Sequence, residues 1–210
     1  MMDMDQLSSR IYPLKVVTSR GKCVLYVMSR DQRVGYNHAL LLAQKHAIAS
    51  GLPLCVVFCL YGKTGHRSRE QYEFMLEGLK GVESNLGLLN VPFMLLIGDP
   101  KEKLSAVFHH TTPEAVYFDF NPLRGPRHLH NYLAKRHEIS MYEVDTHNIV
   151  PARVLSSKME VGAYTIRPKL HKLLSAYLVE PEKIICHPHA WPGKIVSLSE
   201  LSSQIDDAVK

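Results

Sequence analysis

The stretch LYVMSRDQRVGYNHAL, residues 25–40, contains the transition that decides the fold. An apolar run rich in Val and Leu ends at Met28, a polar cluster follows over residues 29–33, and apolar residues then return at helical spacing. A buried strand followed by an amphipathic helix is the first half of a βαβ unit, from which parallel sheets are built. It also raises a question, because two arginines and an aspartate stand at the end of a buried strand.

The same alternation of strand and helix continues along the chain. Apolar runs predict five strands, at Lys22–Met28, Leu54–Leu60, Pro92–Ile97, Ala115–Asp119 and Ser140–Asp145. Helical spacing predicts helices over Val34–Ser50, Arg69–Leu89 and Pro100–His110. These elements predict the α/β fold class, with a doubly wound sheet of five parallel strands in the order 3-2-1-4-5.

The composition divides the chain into three parts. We expect an N-terminal extension over residues 1–20, an α/β domain over residues 21–150 and a helical connector over residues 151–210. The last part contains a helical IRPKLHKLLSAYL, residues 166–178, and the Pro-rich and His-rich PEKIICHPHAWPG, residues 181–193. This helical C-terminal extension either docks on the domain or leads away from it.

Composition and charge restrict the class of protein. Of the 210 residues 46 % are apolar and 21 % are charged, which is typical of a globular protein. No apolar run approaches the roughly 20 residues that span a bilayer, and residues 1–20 lack the pattern of a secretory signal, so we expect a cytoplasmic protein without a membrane partner. The spacing of Cys23, Cys55 and Cys59 favours buried thiols over disulfides. The net charge of +5 is compatible with a nucleotide or nucleic-acid partner.

The chain order places one candidate site. In open parallel sheets, ligands bind beyond the carboxyl ends of the strands where the strand order reverses, here between predicted strands one and four. The loops there are Ser29–Arg33 and Asp119–Arg127, and their charged and amide side chains could bind an anionic or nucleotide-like ligand. Helix capping and surface ion pairs explain the same residues without a ligand. The polar candidates are Arg30, Asp31, Arg33, Asp119, Asn121, Arg124 and Arg127.

Other motifs carry less weight. CHPH at residues 186–189 offers metal ligands, but no second cluster completes a zinc site, so we predict no metal site. KTGH at residues 63–66 is weakly similar to a nucleotidyltransferase loop but follows the second strand. The His109–His110 and His128–His130 pairs are more typical of solvated helices. GxGxxG, Walker and GxSxG motifs are absent, so the residues alone predict no catalytic group.

Several motifs together resemble the amino-terminal α/β domain of the DNA photolyases, specifically the class II cyclobutane pyrimidine dimer photolyases. They are VLYVMSRDQRVGYNHALLLAQ, RSREQYEFMLEGL, GDP, DFNPLR, VDTHNIVPARVLSSKMEVGAYTIRPKL and HPHAWPG, between about residues 21 and 191. The resemblance implies a Rossmann-like or flavodoxin-like domain. This chain departs from the family pattern at three positions. It has Tyr36 and His38 where the family usually has Asp and Trp, and Arg153 where Trp is common in the family.

The resemblance also implies a function in light-dependent DNA repair. In the family this domain can carry a deazaflavin or folate antenna chromophore, whose excitation reaches a flavin in a separate helical domain. We expect the helical domain to be absent, so that the chain binds no FAD and has no deoxyribodipyrimidine photo-lyase activity alone. The residues that the resemblance assigns to the antenna, as cofactor-binding and not catalytic, are Ser29, Arg30, Asp31, Arg33, Asn37, Phe58, Cys59, Leu60, Asp119, Phe120, Asn121 and Arg124.

Two other functions remain open. The chain could be a non-catalytic docking module or photolyase relic, with a FAD-domain protein or a second copy as its partner, or an unrelated nucleotide enzyme on the same fold. Contact with DNA is expected to be weak or indirect. The cations Arg124, Arg127, Lys135 and Arg136 are either auxiliary phosphate contacts or a solvated helix face, and the second is favoured.

Overall fold

The computed structural model describes residues 4–18, 20–61 and 68–209. The described strands are β1 (Ile11–Lys15), β2 (Cys23–Met28), β3 (Leu54–Leu60), β4 (Phe93–Ile97), β5 (Pro113–Asp119) and β6 (Ser140–Val144). The described helices are α1 (Met4–Ser8), α2 (His38–Ser50), α3 (Arg69–Gly87), α4 (Pro100–Thr111), α5 (Arg124–Arg136), α6 (Ala152–Leu155), α7 (Ala163–Tyr177) and α8 (Ser202–Val209). None of the helices described combines the length and the apolarity needed to cross a membrane.

The sheet confirms the predicted α/β fold and adds one strand to it. Its order is β1-β6-β5-β2-β3-β4, so the five parallel strands β2 to β6 lie in the predicted order 3-2-1-4-5. The predicted number of five was wrong, because β1 pairs antiparallel with β6 at the edge of the sheet. Pro13 interrupts the β1 pattern, and the register shifts between Pro13 and Lys15, as an edge strand tolerates. Part of the predicted N-terminal extension thus belongs to the sheet.

The helix after β2 begins later than its apolar pattern predicted. Residues 34–37 are not helical, and α2 begins after Asn37, whose side chain accepts a hydrogen bond from the backbone N–H of Leu40. At the other end Gly51 has φ of +66°, a left-handed conformation that glycine adopts without strain. The N-cap therefore holds the beginning of α2 next to the polar loop that follows β2.

The sheet separates two apolar cores. Alternate residues of β2 face opposite sides: Tyr26 packs in the core covered by α2 and α3, and Leu25 in the core covered by α4 and α5. All six residues of β2 are buried, as a central strand with helices on both faces requires. Two-sided burial fixes the register of β2, so its last residues and the following loop hold a defined position.

Residues 183–198, which we call the strap, return to the α/β domain. The side-chain amide of Gln44 donates to the carbonyl of Ile185 (2.8 Å) and accepts from its N–H (3.1 Å). The strap then packs Trp191 against the core on the α4 and α5 side and Leu198 against the opposite core. This part of the C-terminal extension therefore docks on the domain.

Candidate functional site

A cleft of about 590 Å³ opens at the carboxyl ends of β2, β3 and β5. Its walls come from these strand ends, from the loop after β2 and from the first turns of α4 and α5. Its volume falls in the range of about 300–1,000 Å³ that is usual for small-molecule sites. The residues that line it are Val27, Met28, Ser29, Gln32, Phe58, Cys59, Leu60, Tyr61, Met75, Asp99, Pro100, Lys101, Leu104, Phe118, Asn121, Gly125, Pro126, Leu129 and His130.

The floor of the cleft is apolar and uncharged. Phe58, Leu60 and Phe118 contribute buried residues to this lining, and Cys59, which faces the same side of the sheet as Phe118, is partly exposed. Burial, followed by the charge of Asp99, raises the pKa of the Cys59 thiol to about 12, so the thiol is protonated at neutral pH. Such a floor favours a planar, apolar ring system over a charged group.

Polar groups lie around the floor. Ser29, Gln32 and Asn121 supply hydroxyl and amide groups, and Asp99 and Lys101 supply one charge of each sign. The Lys101 ammonium also lies 5.2 Å from the centre of the Tyr132 ring. Apolar walls with a few polar groups are typical of sites that orient a ring by its substituents.

The carboxylate of Asp119 holds the loop after β2 in place. Its Oδ2 accepts hydrogen bonds from the backbone N–H groups of Ser29 (2.8 Å), Arg30 (2.8 Å) and Asp31 (3.2 Å). Its Oδ1 accepts from the Tyr26 hydroxyl at 2.7 Å. The Ser29 hydroxyl also donates to Oδ2, at 3.4 Å. Because Asp119 is completely buried, these five bonds compensate for burying its charge. The aspartate thus acts within the protein rather than toward a ligand.

The charged residues after β2 mainly contact one another. The Asp31 carboxylate is 98 % buried and lies 3.1 Å from Arg33 and 3.4 Å from Nδ1 of His147. Burial and the charge of Asp119 raise the pKa of Asp31, although Arg33 and His147 oppose the rise. The opening question therefore has a structural answer, since this cluster closes the loop after β2 against the end of β5.

Asn37 completes this framework. Its side-chain N–H₂ donates to the Tyr26 hydroxyl (3.0 Å) and to the carbonyls of Asp31 (3.1 Å) and Arg33 (3.0 Å), while its Oδ1 caps α2. The amide thus joins strand, loop and helix. Burial, followed by the nearby Asp119 carboxylate, holds the pKa of Tyr26 well above its usual range, so Tyr26 remains a hydrogen-bond donor.

The predicted antenna residues separate into three groups. Those in the cleft are Ser29, Phe58, Cys59, Leu60 and Asn121. Those in the supporting framework are Arg30, Asp31, Arg33, Asn37 and Asp119.

Phe120 and Arg124 do not line the cleft. The Phe120 ring lies 6.3 Å from the Tyr12 ring and 5.3 Å from the Arg153 guanidinium. Arg124 is exposed at the first position of α5.

The sequence did not indicate that α4 forms a wall of the cleft, and it placed residues 124–127 in a loop although they form the first turn of α5. Asp99 and Pro100 are an N-cap and first-turn pair, and this signal places the beginning of α4 at the same end of the sheet as the cleft. His130 was predicted to be a solvated residue of α5, which was wrong. It is 96 % buried, with its ring 4.5 Å from that of Phe118.

His130 belongs to a network of polar contacts with Glu143 and Arg153. Its Nδ1 lies 2.7 Å from the Glu143 carboxylate, which also accepts from Arg153 at 3.0 Å. Burial acts to raise the pKa of Glu143, but His130 and Arg153 outweigh it and the pKa is lowered. The Arg153 guanidinium also lies 4.1 Å from the centre of the Tyr12 ring, where it forms a cation–π contact. The network therefore links the cleft wall to β6, α6 and the edge strand.

The CHPH motif, residues 186–189, lies within the strap. His187 of CHPH is buried, and its Nε2 lies 2.9 Å from the carbonyl of Leu52, so it holds the strap on the domain. Within residues 4–18, 20–61 and 68–209, no three His, Cys, Asp or Glu side chains are grouped to hold a metal ion. KTGH, residues 63–66, lies outside the described residues.

Comparison with known proteins agrees with this fold. The DNA photolyase family model matches residues 24–189, which is most of the chain. The chain belongs to the DNA photolyase family. The deoxyribodipyrimidine photo-lyase of Potorous tridactylus is 39 % identical over 174 residues, 81 % of this chain and 32 % of that protein. The enzyme of the same name from Arabidopsis thaliana is 37 % identical over 190 residues, 89 % of this chain and 38 % of that protein.

Solved structures show the same fold at lower identity. The cryptochrome of Synechocystis sp. PCC6803 superposes with a TM-score of 0.68 at 14 % identity, over 87 % of this chain and 40 % of that one. A class III photolyase of Agrobacterium tumefaciens superposes with a TM-score of 0.62 at 19 % identity, over 90 % of this chain and 39 % of that one. The chain thus spans between about a third and two fifths of the length of these four proteins.

Proposed function

We propose that this chain is the antenna-binding α/β domain of a class II cyclobutane pyrimidine dimer photolyase, and that its cleft holds a deazaflavin or folate chromophore. The cleft carries the proposal, because it combines an apolar floor with polar groups at the carboxyl ends of β2, β3 and β5. The class II assignment is supported by the motifs MSRDQR, DFNPLR and HNIVPAR. Light-dependent repair would then need FAD, which in this family is held by a helical domain.

The floor and rim fit different parts of such a chromophore. Phe58, Leu60 and Phe118 would contact the faces of a planar ring, and the neutral Cys59 thiol would add no charge beneath it. Ser29, Gln32 and Asn121 would hydrogen-bond ring substituents, and Lys101 would pair with an anionic group. The chromophore would supply absorption of light, and these residues would bind and orient it.

Titration of the purified chain tests this proposal. Absorbance and fluorescence are followed as a hydroxy-deazaflavin or a reduced folate is added, with ATP as a control. We expect saturable binding of one of the two chromophores. Lys101→Ala should weaken this binding about tenfold through the loss of one charged contact. Lys103→Ala is the matched control, because Lys103 lies on the same helix but does not line the cleft. Absence of saturable binding to the native chain would refute the proposal.

A docking module is a second candidate, favoured by one specific observation. The stretch from Ile149 to Tyr164 exposes large apolar side chains, including Met159 (88 %), Val161 (92 %) and Tyr164 (82 %). Exposed apolar groups of this size favour contact with another protein surface. Light scattering over a concentration series tests self-association, and Val161→Asp should abolish any dimer. A native chain that remains monomeric at high concentration would leave a separate FAD-domain protein as the partner to test.

A further inference from the structure

His130 is a buried titratable side chain in the cleft lining, and the chromophore contacts proposed above do not include it. It lies on α5 and is 96 % buried. Its ring packs against that of Phe118, with the ring centres 4.5 Å apart. Its Nδ1 lies 2.7 Å from Oε1 of Glu143, which is itself 98 % buried. The imidazole ring is therefore held in one orientation from two sides.

The partner of Nδ1 decides where the neutral imidazole carries its proton. Burial acts to raise the pKa of Glu143, but His130 and then Arg153 lower it, so the carboxylate is ionised at neutral pH. A carboxylate accepts hydrogen bonds and does not donate them, so Nδ1 of His130 must carry the proton. In the neutral ring, Nε2 is then a hydrogen-bond acceptor.

This second nitrogen is accessible to a ligand. Within residues 4–18, 20–61 and 68–209, no side chain or backbone group forms a hydrogen bond with Nε2 of His130, and this nitrogen is not sealed from solvent. Because His130 lines the cleft and is otherwise almost wholly buried, Nε2 is accessible from the cleft. An acceptor in such a place disfavours any ligand that covers it without donating a hydrogen bond.

Other polar side chains in the cleft lining make no such demand. Hydroxyl and amide groups both donate and accept, and the Lys101 ammonium is a donor. Oδ1 of Asp99 already accepts from the backbone N–H groups of Lys101 (2.8 Å) and Glu102 (3.3 Å) at the beginning of α4. His130 is therefore the lining side chain whose role as an acceptor is fixed by a buried partner.

We infer that His130 selects ligands that present an acidic ring hydroxyl to its Nε2, and that Glu143 is the positioning residue that fixes this selection. The inference rests on the proposed function, because it assigns a further contact within the same cleft. A hydroxyl on an aromatic ring is an acidic donor and hydrogen-bonds strongly to an imidazole nitrogen. Arg153 contacts the second carboxylate oxygen of Glu143 at 3.0 Å and keeps the carboxylate in place.

A matched pair of ligands tests the selection. A hydroxy-deazaflavin and its methyl ether differ only in the donor, and binding of each is followed by fluorescence. The native chain should bind the hydroxyl form at least about tenfold more tightly. His130→Phe keeps an aromatic ring but removes the acceptor, so the two ligands should bind about equally. His128→Phe, at an exposed position of α5, is the matched control and should keep the native preference.

Glu143→Gln changes the role of His130 without altering a residue of the cleft lining. Arg153 can only donate, so it should take the amide oxygen and leave the amide N–H₂ opposite Nδ1 of His130. Nδ1 must then accept, and the ring proton moves to Nε2. Nitrogen NMR should therefore show the proton on Nδ1 in the native chain and on Nε2 in this variant. The preference for the hydroxyl over the ether should disappear with it.

Several outcomes would overturn the inference. Equal binding of hydroxyl and ether by the native chain is one, and a preference that persists in His130→Phe is another, since it would indicate a steric cause. A native ring proton on Nε2 is a third, and that measurement needs neither a ligand nor a variant that folds. Binding of a reduced folate alone would overturn the inference but support the proposed function. Binding of neither chromophore would refute the proposed function and the inference with it.

Discussion

Replacing Asp119 tests whether this carboxylate holds the loop after β2. Asp119→Ala removes the acceptor of three backbone N–H groups and of the Tyr26 hydroxyl. Hydrogen bonds to a charged group contribute about 1.5–3 kcal/mol each, but Ser29 and Arg30 are partly exposed, so water can replace part of the loss. We expect the free energy of unfolding to fall by about 4 kcal/mol and the melting temperature by about 8–16 °C.

The conservative variant isolates the charge from the shape of the side chain. In Asp119→Asn the amide oxygen still accepts from the three N–H groups, but the amide nitrogen no longer accepts from the Tyr26 hydroxyl. We expect a loss of about 2 kcal/mol. Asp99→Asn is the matched control, because Asp99 caps α4 and Asn is an equally good N-cap, so its stability should change by less than about 0.5 kcal/mol.

Urea unfolding followed by circular dichroism measures both variants. The reasoning would be refuted by an Asp119→Asn protein as stable as Asp99→Asn, since the buried carboxylate would then contribute nothing beyond its shape. A change in the slope of free energy against urea, without a shift of the midpoint, would also contradict it, because that result indicates an altered unfolded state.

Further predictions concern the buried residues His38 and Arg10 and the strap. Burial, and then two neighbouring arginines, lowers the pKa of His38 to about 3, so stability is complete above about pH 6.5 and falls as the pH drops. Between pH 7 and pH 5 the free energy of unfolding, measured with urea, should fall by about 2 kcal/mol less in His38→Gln than in the native chain. The variant His171→Gln, at an exposed position, should show the same fall as the native chain. Arg10 donates to three backbone carbonyls, and Arg10→Lys should cost about 2–3 kcal/mol by the same assay, whereas a neutral result would contradict this role. Gln44→Ala should release the strap and speed tryptic cleavage after Lys183, and unchanged cleavage would show that the amide does not hold it.

The parallel part of the sheet was predictable because its strands are apolar along their whole length. Runs such as Leu54–Leu60 are buried on both faces, and short connections leave few possible strand orders. The edge strand Ile11–Lys15 escaped prediction for the opposite reason. It is short, only half-buried and interrupted by Pro13, so its sequence lacks the pattern of a strand, and its pairing with β6 depends on residues more than 100 positions away.

The candidate site was predictable in location but not in the direction of its side chains. The strand order places the loops after β2 and β5 together, and Asp119 does contact residues 29–31. Sequence alone did not show that this carboxylate turns toward backbone N–H groups instead of the cleft. His130 escaped prediction similarly, because its burial depends on Glu143, a partner that lies on strand β6.

The most direct test of the proposed function asks whether a chromophore binds in this cleft. Gly125→Leu adds a side chain at the cleft lining, and Gly78→Leu makes the same change on the exposed surface of α3. A Cβ atom at either glycine meets no other atom within 4 Å, so both variants should fold. Titration with a hydroxy-deazaflavin and with a reduced folate is predicted to show saturable binding of one chromophore to the native chain and to Gly78→Leu, and at least tenfold weaker binding to Gly125→Leu. Equal binding to all three proteins would contradict the assignment of the cleft, and no binding to the native chain would contradict the proposed function itself.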